Sequence, residues 1–472
     1  MTNVEKVINS CCISYYHNST VMIRKNSAKI SLFHNFSKEK EKKCHFKMVL
    51  PISFYLCIDS FTKSKCNNVD SKTFLKLARN SKLYKKCMKP FMCLFRFLPL
   101  SGRKIIVNNY NGKGYGDNAK YIVDEIRRQQ LTYDLVWIVE DGSNIELPAG
   151  IRKVRMWSLR CIYELSTAKV IISNVKNYLP FLKRSSQYYI QTWHGPVPFK
   201  YIEQDAVDLL SPRYIKESQQ NSSITDVMIS CNAISTRLFR NSFWYDGEVY
   251  ECGAPRSDIF FSGQSVKDQL KKQMGVAEGQ RIVLYCPTFR DNGSINAYDI
   301  DTHQILNTLQ KTTGQSWVMM IRMHPNDSKG IARFTFDQSV MNMTNYPDMQ
   351  ELIFVADMQI SDYSSTIAEF IIMQKPVFIY ASDLEEYSQS CRGLSPAYYE
   401  LPIHINRTND ELIQSIEQYD EAQYRQALVP YLQHYNSFDD GHASERVVER
   451  IKCVIDGTFR KPDRAVGQNH KN

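Results

Sequence analysis

Two histidines stand where chemistry is expected. His194 ends the stretch Ile190-Gln-Thr-Trp-His-Gly195, and His324 follows the run Trp317-Val-Met-Met-Ile-Arg-Met323. Each β-prone run stops at a turn containing proline, Pro196 in one case and Pro325 in the other. Such a pattern places the last side chain at the carboxyl end of a strand, where open α/β sheets bind ligands. A histidine there can serve as a general base near neutral pH. The alternative is a core histidine bonded to a backbone carbonyl.

A second set of residues suits a phosphate. Ser364, Ser365 and Thr366 open a helix, where backbone amides and the helix dipole attract an anion; serine there can also simply cap the helix. Arg290, in the polar loop Pro287–Asn292 after one strand, and Arg322, at the end of another, supply positive charge for a diphosphate. Gly112, Gly114 and Gly116 lie in Asn111-Gly-Lys-Gly-Tyr-Gly-Asp-Asn118, between a strand and a helix. They offer an anion or acceptor loop or a plain turn, and their spacing is not the dinucleotide fingerprint. Asp299-Ile-Asp301 has the spacing of a metal pair but reads as a loop. The 13 cysteines include no Cys-x-x-Cys pair, so neither a metal site nor a disulfide framework is expected.

The elements that must position these residues alternate strand with helix. Strands are expected at Arg103–Asn108, Asp134–Val139, Ile151–Arg155, Ala168–Asn174, Tyr188–Trp193, Thr225–Ser230 and Gly247–Cys252. A second series follows at Arg281–Cys286, Trp317–Arg322 and Pro376–Tyr380, with the apolar run Leu352–Ile360 leading into Ser361. This alternation predicts an α/β protein of two Rossmann-like, doubly wound domains with a cleft between them. The divisions read as a basic extension over 1–102, an acceptor domain over 103–262, a donor domain over 263–456 and a polar tail over 457–472. Helices are expected from Ala119 to about Gln130 and over Ser444–Ile455.

Charge is unevenly spread. Residues 1–104 hold 21 Lys and Arg against 5 Asp and Glu, a net of +16, within a chain whose total is +10. The remainder is therefore −6. The basic extension fits an anionic membrane surface, and its segment 71–102 has the pattern of an amphipathic helix that could equally pack on the body. The body shows no nucleic-acid motif. No run of 18 apolar residues and no signal-peptide pattern occurs, so a peripheral protein at the cytoplasmic face of a membrane is expected. Self-association is left open.

Seven stretches in order carry a resemblance. They are Asn111–Asn118, Gln191–Gly195, Tyr250–Asp258, Tyr285–Asp291, Arg322–Pro325, Ile360–Ser365 and Asp383–Tyr387. Together they resemble the CDP-glycerol glycerophosphotransferase family of teichoic acid primases and polymerases, over roughly 103–455. The resemblance implies a GT-B-like fold and transfer of glycerol phosphate or ribitol phosphate from a CDP-linked donor to an acceptor hydroxyl, with release of CMP. It implies no cofactor and no metal, and a lipid-linked or glycan acceptor. His194 would be the base, while His324 and Arg322 would bind the donor diphosphate and stabilise the leaving group. Ser364, Ser365 and Thr366 would seat phosphates, Arg290 and Asp362 would organise the donor site, and Glu385 and Glu386 would face the nucleoside. Family members usually follow His-Gly with Thr-Pro and a nearby Lys; this chain has Pro196-Val-Pro-Phe-Lys200, a departure on the acceptor side. The competing reading is a GT-B glycosyltransferase using another nucleotide-sugar donor.

Overall fold

The computed structural model describes residues 91–176, 182–290, 296–323, 327–389 and 393–460. Two sheets carry the chain. The first has seven strands in the order β3-β2-β1-β4-β5-β6-β7. These are β1 Ser101–Asn108, β2 Asp134–Val139, β3 Ile151–Arg155, β4 Ala168–Ser173, β5 Tyr188–Gln191, β6 Val227–Ser230 and β7 Glu248–Glu251. The second has six strands in the order β10-β9-β8-β11-β12-β13. These are β8 Arg281–Tyr285, β9 Trp317–Ile321, β10 Val340–Asn342, β11 Met358–Ser361, β12 Val377–Tyr380 and β13 Ile405–Asn406. All pairings within both sheets are parallel.

Two doubly wound α/β domains are therefore present, as the alternation of elements predicted. The central strands are continuous apolar runs because helices cover both faces. Ile105 and Val107 pack on one side of β1 with Ile122 and Ile126 of the helix Asp117–Arg128. Ile106 packs on the other with Ile162 and Leu165 of the helix Leu159–Thr167. In each sheet the strand order reverses beside the first strand, β1 or β8. That reversal opens a crevice at the carboxyl ends.

The apolar run Leu352–Ile360 divides. Its first part completes the helix Met349–Val355, and β11 begins at Met358. Asp348 caps that helix by accepting from the Gln350 amide, and the Asp357 carboxylate accepts from the Ile282 amide at 3.0 Å, turning the chain into the sheet. Apolar periodicity cannot separate a buried helical turn from a buried strand.

The chain crosses between domains twice at one place. After the turn Pro255–Phe261 it enters the second unit, and residues 436–442 bring it back. The helix Ala443–Ile455 then packs Val447, Val448, Ile451 and Val454 into the core around Ile105 and Ile122. Asp258 fixes the start of that helix, accepting from the amides of Ala443 at 2.9 Å and Ser444 at 2.7 Å. Gly253 has φ +84°, and a Cβ there would lie 3.0 Å from the Phe438 carbonyl oxygen. Only glycine lets the two crossings run this close.

Of the basic extension, residues 1–90 lie outside the described residues, including most of the amphipathic segment. Residues 91–98 pack on the first domain through Met92 and Phe95. Arg184 donates to the carbonyls of Phe95 at 3.0 Å and Leu98 at 2.7 Å. Phe97 is 88 % exposed. Among the described residues no helix is long and apolar enough to cross a membrane.

Candidate active site

A cleft of about 1060 Å³ runs between the carboxyl ends of the two sheets. Loops after β1, β4 and β5 form one wall, and loops after β8, β9, β10 and β11 form the other.

His194 stands on the first wall. β5 ends at Gln191, and Trp193 then takes a left-handed backbone, φ 54°, which swings His194 into the cleft. Asn118 pins this turn by donating to the Trp193 carbonyl at 3.1 Å. His194 Nδ1 lies 2.7 Å from the Asn174 carbonyl oxygen. A carbonyl can only accept, so Nδ1 carries the hydrogen and Nε2 keeps its lone pair. Burial lowers the imidazole pKa below 6.5, with Arg256 acting in the same direction and the Asn174 bond and Asp117 opposing. The ring is therefore neutral and basic at pH 7. The carbonyl bond that would mark a structural histidine is the bond that fixes the tautomer a base requires.

Arg256 lies behind this turn and is only 5 % exposed. Its Nη1 donates to Asp117 Oδ2 at 2.8 Å and to the His194 carbonyl at 2.9 Å. Its Nη2 meets Glu369 Oε1, on the second domain, at 2.8 Å. Asp117 also accepts from the Tyr110 hydroxyl at 2.8 Å. Burial raises the Glu369 carboxyl pKa, and Arg256 opposes that rise. Lys176 and Glu203 form a further buried ion pair on the first wall. Glu203 holds a left-handed backbone, φ 52°.

Arg322 stands on the opposite wall at the end of β9. It donates to the Tyr346 carbonyl and, among the described residues, has no carboxylate partner. Burial lowers its pKa, the sign of a cation short of counter-charge. Ser364, Ser365 and Thr366 line the same wall. Thr366 Oγ1 donates to Ser364 Oγ at 2.9 Å, while Ser365, at the cap of the helix Thr366–Ile372, makes no side-chain cap bond. Gly195 closes against it: a Cβ there would lie 3.1 Å from Ser365 Oγ.

The cleft thus brings together His194, Arg322, Ser364, Ser365, Thr366, Gly114 and Gly116. His324 lies outside the described residues. Arg290 and Asp362 lie beneath the wall. The Arg290 guanidinium bridges Asp383 at 2.6 Å and Asp362 at 2.8 Å and stacks over Tyr363 and Tyr387. Asp362 in turn accepts from the Thr288 amide at 2.8 Å, so the pair organises the loop after β8. Gly112 faces away from the cleft, against β2's end: a Cβ would lie 2.4 Å from the Glu140 amide nitrogen. Glu385 is exposed and pairs with Arg407; neither it nor the exposed Glu386 lines the cleft. Asp301 caps the helix Thr302–Thr313 by accepting from the Gln304 amide.

Asn174, Asp117, Arg256 and Glu369 were missed by reading the sequence for chemistry. Asp117 and Arg256 sit inside two of the recognised stretches, and that was the available signal. Among the described residues, four buried polar atoms of the cleft lack a hydrogen-bond partner: Asn111 Oδ1, Glu203 Oε2, Thr288 Oγ1 and Glu369 Oε2. Unpaired polar atoms are rare in folded interiors and fit a polar ligand.

The departure Pro196-Val-Pro-Phe also has a physical place. Val197 and Phe199 are buried in the core of the second domain, and the Phe199 carbonyl accepts from the Ser395 amide at 2.9 Å. This loop ties the turn that carries His194 to the other domain.

Comparison with known proteins adds the following. The sequence model of the CDP-glycerol:poly(glycerophosphate) glycerophosphotransferase family matches residues 91–453. The teichoic acid poly(glycerol phosphate) polymerase of Staphylococcus epidermidis is 28 % identical over 363 residues, covering 74 % of this chain and 50 % of that protein. The chain thus spans about half the length of that relative. The teichoic acid glycerol-phosphate transferase of Staphylococcus aureus is 27 % identical over 365 residues, covering 74 % of this chain and 92 % of that protein. The solved structure of the wall teichoic acid polymerase TagF in a variant form superposes with a TM-score of 0.69 at 25 % identity, covering 83 % of this chain and 99 % of that one.

Proposed function

The chain belongs to the CDP-glycerol:poly(glycerophosphate) glycerophosphotransferase family, and from that premise we propose that it transfers a polyol phosphate from a CDP-linked donor to an acceptor hydroxyl. The observation that carries the reading is the fixed tautomer of His194, with Nε2 free to take a proton, in a cleft whose other wall holds Arg322. The acceptor hydroxyl loses its proton to Nε2 while its oxygen attacks the phosphorus that bears the polyol. The bond from that phosphorus to the bridging oxygen breaks, and CMP leaves with the electron pair. Arg322, with His324 two residues further on in sequence, meets the charge that grows on the CMP phosphate. Stabilising charge where it develops is the main lever in such displacements.

The acceptor enters from the first wall, beside Lys176 and Glu203, and is a lipid-linked or glycan polyol. Residues 1–90 continue from a segment whose Phe97 and Leu94 are exposed, and this surface meets an anionic membrane. The test is CMP release from CDP-glycerol and CDP-ribitol with a panel of lipid-linked acceptors. One donor should release CMP, and His194→Ala should abolish release by at least about a thousandfold while donor binding stays within about threefold. Turnover of a different nucleotide-linked donor, with none of either CDP-polyol, would sink the reading.

A further inference from the structure

We propose that Arg256 is a positioning residue that couples the second domain to the base of the first. The inference rests on the assignment of His194 as the base. One guanidinium reaches three acceptors that belong to separate parts of the machine. Nη1 holds the His194 carbonyl at 2.9 Å and Asp117 at 2.8 Å, and Nη2 holds Glu369 at 2.8 Å. The planar fork of arginine fixes these directions relative to one another. The backbone of Arg256 joins the same network, its amide donating to Asn118 Oδ1 at 3.1 Å, and Asn118 donates in turn to the Trp193 carbonyl. The strained turn that presents His194 is therefore held at two successive carbonyls, one by Asn118 and one by Arg256.

The arrangement is more than a buried ion pair. Glu369 belongs to the helix Thr366–Ile372, whose preceding residues Ser364 and Ser365 face the cleft. A shift of that helix on donor binding would reach His194 through one side chain. Arg256 also sits at the first crossing between domains, three residues after Gly253. Among the described residues, the charged and titratable groups facing His194 are Asp117, Tyr110 and Arg256 from its own domain, with Glu369 behind Arg256 from the other. Asp117 raises the imidazole pKa and Arg256 lowers it.

The experiment is a titration of the His194 ring by NMR on the full chain, alongside kcat for CMP release. Arg256→Met should move the His194 midpoint up, and Asp117→Asn should move it down, from the parent value. Glu369→Gln should leave the midpoint near the parent value and lower kcat about tenfold or more, because the guanidinium loses its hold on the second domain. Arg256→Lys keeps the charge and loses the fork, so its midpoint should stay while kcat falls. Should Arg256→Met fail to fold, the Lys and Gln variants carry the test. Unmoved midpoints in both charge variants, or kcat of the parent in both Arg256→Lys and Glu369→Gln, would overturn the proposal. A parent that releases no CMP defeats the transferase reading instead, and the Arg256→Met and Asp117→Asn midpoints then still report whether the guanidinium and the carboxylate act on the His194 ring.

Discussion

At the scale of single residues, the site is decided by what each charge is paired with. Arg290 and Arg322 look alike in sequence, each following an apolar strand, Arg322 directly and Arg290 within the polar loop. In the fold Arg290 is neutralised by Asp362 and Asp383, whereas Arg322 makes no ion pair among the described residues. The sequence carried the positions of both and the pairing of neither, because the partners of Arg290, Asp362 and Asp383, lie far along the chain in other loops. Arg322→Gln should therefore weaken donor binding about thirtyfold, roughly 2 kcal/mol for lost charge-assisted bonds. Calorimetry with CDP-glycerol or CDP-ribitol would show it, and unaltered affinity for the donor that turns over would exclude Arg322 from the diphosphate.

At the scale of elements, strands and their carboxyl-end loops were legible because both faces of each central strand are apolar. The continuous apolar runs of β1, β2 and β8 reported their own burial. Short edge strands did not: β10 has three residues and β13 two. The glycine loop shows what position adds to composition. Gly114 and Gly116 line the cleft, while Gly112 is there for the turn itself, with φ +93° and the Glu140 amide nitrogen 2.4 Å from where a Cβ would sit. Gly112→Ala should destabilise the first domain by about 2 kcal/mol or more, through backbone strain and displacement of the end of β2. Gly114→Ala meets open space and should cost about 1 kcal/mol, from its positive φ alone. Equal losses in thermal unfolding would show that the close contact has no weight.

At the scale of the whole molecule, the two crossings meet at a half-buried acid. Asp439 accepts from the Ala254 amide at 2.7 Å, and its carboxyl is pushed up to about 7, chiefly by burial. The folded state thus holds a proton that the unfolded chain, with an ordinary aspartate, releases near pH 4. Between those values folding binds protons, so the contribution of Asp439 to stability is present at low pH and is lost as pH rises through 7. Asp439→Asn keeps an oxygen for Ala254 and removes the titration. The decline in Tm between pH 5 and 8 should be shallower in the variant than in the parent, and parallel curves would rule the group out.

Sequence order alone hid the return of the last helix to the first domain, since nothing local in Ala443–Ile455 says which sheet its apolar face will meet. That return has a consequence for synthesis on the ribosome. The second sheet is complete once β13 has emerged at Asn406, but the first still lacks the helix that covers β1. The domain begun first is finished last, and until then Ile105, Ile122 and their neighbours leave an apolar face uncovered. The nascent chain would need a chaperone for its first domain longest, at a stage when every strand of the second sheet has already been made.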